Sequence, residues 1–206
     1  MRRLVWLLFV AWLAPASPAL AQGELLERTL AIVGTQAITL SDARAAIRLG
    51  LIAADRDADP VSVTQALVDR ELILREVQRY APPAPAESAV EARLDEIRRR
   101  LPGAGALARA LDETGFTEVR LRAWIRDDLR SVAYLAQRFA SASTPTDSEI
   151  STAFTQQRAE FERAGTTFEQ AAPLIRERLV ASRRRELIAD WVSDLRRRTE
   201  VTILAR

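Results

Sequence analysis

The stretch Thr29-Leu30-Ala31-Ile32-Val33-Gly34-Thr35-Gln36-Ala37-Ile38-Thr39-Leu40-Ser41-Asp42 decides how this chain begins to fold. Thr29–Val33 and Ala37–Leu40 are short runs rich in β-branched and aliphatic residues. The Gly34-Thr35-Gln36 spacer between them has hairpin length and a glycine free to take positive φ. A small hairpin is expected. Ser41 or Asp42 then offers an oxygen to cap a first helix, roughly Ala43 to Ala53, with a break over Asp55–Pro60. A second helix follows over about Val61–Tyr80. Ala66, Val68, Leu72, Ile73, Leu74 and Val77 spread apolar surface round most of it, so it should lie between neighbours at the centre of the core.

Downstream, the prolines of Ala81–Ala86 interrupt helix, and a third helix is expected over Glu87–Leu101, ended by Pro102-Gly103. A short helix over Leu107–Glu113 stops at Gly115, and Thr117 caps a long one. In that long helix Leu121, Ile125, Leu129, Val132, Ala136 and Phe139 recur every three or four residues, an amphipathic stripe. Trp124 and Tyr134 fall off the stripe, which leaves them either a second packing partner or a ligand. Ser141–Pro145 reads as a linker. Thr146 with Glu149 forms a capping box opening a helix through about Phe161, broken by Glu162–Thr166.

The last helix is expected over about Phe168–Arg198, with Pro173 near its first turn. Its apolar pattern weakens at Arg183–Arg185, so it should span two packing environments. Val201–Leu204 reads as one more strand. A lone strand leaves its backbone unsatisfied, so this one should pair with the hairpin and close one domain from both ends of the chain. The fold expected is mainly α with a small sheet made by the N-terminal hairpin and the C-terminal strand.

Ahead of this lies a segment with the order of a secretory signal: Arg2 and Arg3, an apolar run from Leu4 to Ala14, Pro15 and Pro18, then Ala19-Leu20-Ala21 as cleavage site. The apolar run is about half the roughly 20 residues that cross a bilayer, which favours cleavage after Ala21 over an uncleaved anchor. The organisation expected is therefore 1–21 as signal peptide, 22–140 as a helical domain, and 141–206 as linker, helix, long helix and strand completing that domain. Export is expected to deliver a soluble periplasmic protein with no stable membrane insertion.

Composition narrows the chemistry. The sequence has no histidine, cysteine or lysine. The whole-chain pI of about 9.8 misleads, because loss of Arg2 and Arg3 with the signal leaves the rest formally neutral. Arg98–Arg100, Arg183–Arg185 and Arg196–Arg198 have carboxylates one turn away and read as solvated helix faces laced with ion pairs, not a nucleic-acid surface. A Walker loop needs its lysine, zinc sites mostly use His or Cys, and a serine hydrolase of the usual kind needs a histidine base. Paired carboxylates remain, as in glycoside hydrolysis, but no cleft pattern accompanies them. No cofactor or metal is expected, and no catalytic residue.

The order of motifs resembles the N-terminal domain of SurA-type periplasmic chaperones and the related exported parvulin isomerases. The resemblance is carried by Ala31-Ile32-Val33-Gly34, Ile38-Thr39-Leu40-Ser41-Asp42 and Leu67-Val68-Asp69-Arg70-Glu71-Leu72-Ile73. Thr146-Asp147-Ser148-Glu149-Ile150, ending at Phe161, looks like the helix leading into the isomerase domain of those relatives. Thr167-Phe168-Glu169 through Trp191 to Val201-Thr202-Ile203-Leu204 looks like the segment after it. Between Phe161 and Thr167 there is no room for a parvulin domain, and the histidines of its pocket are missing.

The resemblance implies an ATP-independent holdase for unfolded exported proteins, outer-membrane β-barrels among them, without isomerase activity. The candidate client contacts are Phe116, Trp124, Tyr134, Phe139, Phe154 and Phe161, each of which core packing would also explain. The alternatives are an assembly or scaffold partner of one specific envelope protein, and a residual prolyl isomerase. Oligomeric state is not readable from the pattern.

Overall fold

A computed structural model describes residues 27–204 of the 206-residue chain. The signal and its cleavage site lie outside the described residues. Strand β1 (Thr29–Val33) turns through Gly34-Thr35 into β2 (Gln36–Thr39), with Val33 opposite Gln36. The connection thus has two residues, one fewer than expected. Gly34 takes φ +59°, and the Arg75 guanidinium lies against it, where a Cβ would collide. A register shift between Thr29 and Ala31 turns both Leu30 and Ala31 into the core.

Helix α1 spans Leu40–Arg48. It starts and ends earlier than the expected Ala43–Ala53. Thr39, not Ser41 or Asp42, is the cap: its side chain accepts from the Asp42 N–H, and the Asp42 carboxylate accepts from the Thr39 N–H at 3.0 Å. Gly50, at φ +61°, follows the last turn. A 3-10 turn over Pro60–Val63 leads into α2 (Thr64–Tyr80), whose Leu67, Val68, Leu72, Leu74 and Val77 are buried. The next helices are α3 (Glu87–Arg100), α4 (Ala106–Thr114) and α5 (Glu118–Arg138), the last capped by Thr117.

The expected helix from Thr146 to Phe161 is two helices, α6 (Asp147–Gln156) and α7 (Arg158–Arg163). In a straight helix Phe154 and Phe161 would stand about 10 Å apart along the axis. The break at Gln157 brings their rings into a stack with centroids 5.1 Å apart. Helix α8 runs unbroken from Phe168 to Arg198, and β3 (Val201–Ile203) pairs antiparallel with β1, giving a sheet of order β2-β1-β3. The chain is mainly α, and its C-terminal strand closes on its N-terminal hairpin.

Three apolar clusters hold these elements. The first joins the inner sheet face (Leu30, Val33, Ile38) to α1, α2, Tyr134 and the C-terminal half of α8 through Trp191, Val192 and Leu195. The second packs Val90, Leu94 and Ile97 of α3 against Leu111, Phe116, Leu121 and Ile125. The third, at the far end of α8, contains Ile150, Phe161, Ala171 and Ile175. Helix α8 thus spans two environments. At the α6 side Arg183 donates to the Thr144 carbonyl at 3.2 Å and pairs with Glu149.

The arginine triplets are tied to acids in part: Arg98–Asp95 at 2.9 Å and Arg100–Glu96 at 3.0 Å lie one turn apart as expected, whereas Arg196 reaches across to Asp69 of α2 at 2.6 Å. Among the described residues no helix is long and apolar enough to cross a membrane.

Helix α5 departs from its expected stripe. Leu121 and Ile125 are buried as expected, but the next buried side chain is Tyr134, not Val132. At 100° per residue Tyr134 lies about 180° round the helix from Ile125. The helix leaves the second cluster and enters the first, so its covered face changes sides. Val132, still on the Ile125 side, is left 66% exposed.

Candidate functional site: an apolar furrow across α2

The uncovered continuation of the α5 stripe is one wall of a furrow. Ala66, Asp69 and Ile73 of α2, spaced at helical intervals, face two hollows that meet at Asp69 and Ile73. On one side a hollow of about 420 Å³ is walled by Ile125, Leu129, Val132 and Leu135 of α5. On the other a hollow of about 460 Å³ is walled by Ile188, Ala189 and Val192 of α8. Each is within the size range of ligand-binding clefts. The lining is largely aliphatic; among its charges Arg196 meets Asp69 at 2.6 Å and Arg70 meets Asp128 at 3.0 Å, while Arg93 and Arg185 also stand on it. Such pairs fix the walls while leaving the apolar floor to a non-directional ligand.

Arg70, Trp124 and Asp128 form the partition between this furrow and a second hollow. The Arg70 guanidinium lies 3.6 Å from the centre of the Trp124 ring, and the indole Nε1–H donates to Asp128 at 3.1 Å. Partial burial pushes the Asp128 carboxyl above its ordinary value, against the pull of Arg70 and of the indole N–H. Beyond the partition a trough of about 820 Å³ opens between β2, α2 and the first half of α5. Unlike the furrow, it is crowded with arginines and carboxylates.

The six aromatic candidates do not gather on one surface, and none of them lines the furrow. Phe116 is buried edge-on to Trp124, with centroids 6.1 Å apart, and Arg120 lies over it at 4.5 Å. Trp124 is half-buried in the partition. Tyr134, 8% exposed, is core, set between Tyr80 at 5.5 Å and Trp191 at 6.2 Å, so it takes the second packing partner left open above. Phe139 packs edge-on against Trp191 at 5.9 Å. Phe154 and Phe161 lie at the other end of the molecule, where Phe168 joins them edge-on to Phe154 at 5.3 Å.

Of the residues that line the furrow instead, Ile73, Leu129, Val132, Ile188 and Val192 are aliphatic members of patterns that read as core in sequence, and Leu135 stands beside the expected α5 stripe, not in it. The only signal for them is excess: α5 and α8 carry more apolar surface than α2 can cover.

Among the described residues no three carboxylates converge as a metal site would require. No protein-family model matches the chain, and no curated protein matches it.

Proposed function

We propose that this chain is an ATP-independent holdase that captures extended, unfolded segments of exported proteins in the furrow across α2. The reading rests above all on one observation: Ile73, flanked by the uncovered Leu129–Val132 side of α5 and by Ile188 and Val192 of α8, lines both of the mostly aliphatic hollows. Walls that are mostly aliphatic impose little sequence on a ligand. They suit a client defined by exposed apolar side chains.

Modest affinity is what a holdase requires. Burying about 300 Å² of apolar surface at about 25 cal/mol per Å² supplies roughly 7 kcal/mol before ordering costs. A client then leaves when its own fold buries the same surface better. The export signal read in residues 1–21 supports a periplasmic setting for this activity, where unfolded outer-membrane β-barrels expose alternating apolar side chains until insertion. The motif order shared with SurA-type chaperones supports the same reading, and the missing histidines and parvulin domain support a protein that binds without isomerising.

The test is light scattering of a denatured β-barrel protein diluted with and without the purified chain, alongside cis/trans exchange of a proline peptide. Suppressed aggregation with exchange at the uncatalysed rate supports the proposal. Unprotected aggregation, or catalysed exchange, refutes it.

A further inference from the structure

Building on the holdase reading of the furrow, we infer that its α8 side prefers apolar segments of unfolded chains that carry an aspartate or glutamate, with the carboxylate seated on Arg185. Arg185, Ile188, Ala189, Val192, Ser193 and Arg196 line this hollow at i, i+3, i+4, i+7, i+8 and i+11, so they share one face of α8. That face is a mostly apolar strip with an arginine at each end. Arg196 is closed on Asp69 at 2.6 Å and donates to the Gln65 carbonyl at 3.5 Å. Arg183, two residues before Arg185 and turned towards α6, takes Glu149 and the Thr144 carbonyl. Arg185 is exposed and meets no carboxylate among the described residues.

The charge along the furrow is one-sided. Four arginines line it, Arg70, Arg93, Arg185 and Arg196, against two carboxylates, Asp69 and Asp128. Both carboxylates are committed, to Arg196 and to Arg70. Arg93 takes Glu96, which stands outside the lining. The acids next along α8 from Arg185, Glu186 and Asp190, lie about 100° and 140° round the helix from it, and Glu186 accepts from the Ser182 hydroxyl. No acid of the furrow is left to receive Arg185. A client carboxylate completes that pair, whereas a client ammonium meets a positive charge that nothing in the furrow offsets.

The spacing sets where the acid belongs. Arg185 and Val192 stand about 10 Å apart along the axis, which an extended chain covers in about three residues. For a client lying along α8, an acidic residue about three places from the side chain over Val192 reaches Arg185. The occupant is therefore an apolar segment punctuated by acid, not a wholly apolar one.

The test is calorimetric titration of the full chain with end-blocked peptides of alternating leucine and serine whose central residue is aspartate, asparagine or lysine. The aspartate peptide is expected to bind about threefold more tightly than the asparagine peptide and about tenfold more tightly than the lysine peptide, the range that an exposed ion pair supplies. Arg185→Ala should erase the advantage of aspartate over asparagine while holding the asparagine peptide within about twofold of its wild-type affinity, because an exposed side chain is being removed. Arg185→Glu should make the lysine peptide the tightest of the three. Equal binding of the three peptides, or an aspartate preference that survives Arg185→Ala, overturns the charge preference and leaves the furrow as a client site. Failure of all three to bind overturns both. A dimer in sedimentation velocity that Arg185→Glu dissociates would put a second copy in the furrow and overturn the inference as well.

Discussion

Replacing Val132 by glutamine tests the furrow with little disturbance to the fold. The side chain is 66% exposed, so the substitution removes almost no native packing and should change stability by no more than about 0.5 kcal/mol. A client lying in the furrow covers that exposed portion. Fully burying a valine is worth about 1.5–3 kcal/mol, and two-thirds of that is about 1–2 kcal/mol. The glutamine amide adds a desolvation cost of about 0.5–2 kcal/mol if the client gives it no partner. Together these weaken capture by about 1.5–4 kcal/mol, or between about tenfold and a thousandfold. The assay is the chain concentration needed to halve aggregation of a denatured β-barrel, measured beside the melting temperature of the free protein. Unchanged protection at an unchanged melting temperature would show that the furrow does not hold clients.

Trp124→Ala should unfold the partition, since it removes the edge contact with Phe116, the Arg70 stack and the donor to Asp128. A loss of about 3 kcal/mol is expected, read by calorimetry as a fall of about 6–12 °C; a shift under two degrees would contradict the packing described. Thr39→Ala removes the α1 cap and should cost about 1 kcal/mol, checked by denaturant titration. Glu149 is held below its ordinary value of 4.5 chiefly by the Thr146 N–H, then by Arg183. A depressed carboxyl contributes stability above its unfolded value and loses it as pH falls through the folded value. Wild type should therefore lose melting temperature more steeply below about pH 4.5 than Glu149→Gln does, and parallel curves would sink that assignment.

The boundaries of α3, α4 and α5 and the start of α6 were legible because their signals are local. Pro102-Gly103 stops one helix, Gly115 another, and Thr117 and Thr146 supply cap oxygens to N–H groups within the next turn. The start of α1 was misread for a related reason. Thr39 is both the last strand residue and the cap, and a pattern that assigns each residue to one element moves the helix inward. The break at Gln157 has no proline or glycine to announce it. It exists because Phe161 folds back on Phe154 in a cluster that only the approach of α8 completes.

What residues alone determined, then, was a mainly helical chain with a hairpin and a terminal strand, poor in groups that do chemistry at neutral pH. They also showed an apolar stripe running the length of α5 and one in α8 that weakens at Arg183–Arg185. Which part of each stripe would be buried was decided in three dimensions. Helix α5 passes from one cluster to another and exchanges its covered face, so Tyr134 goes inside and Val132 stays out. Periodicity records where apolar side chains lie around a helix, whereas exposure depends on the neighbours that the other helices bring. The furrow is the surface those neighbours leave uncovered.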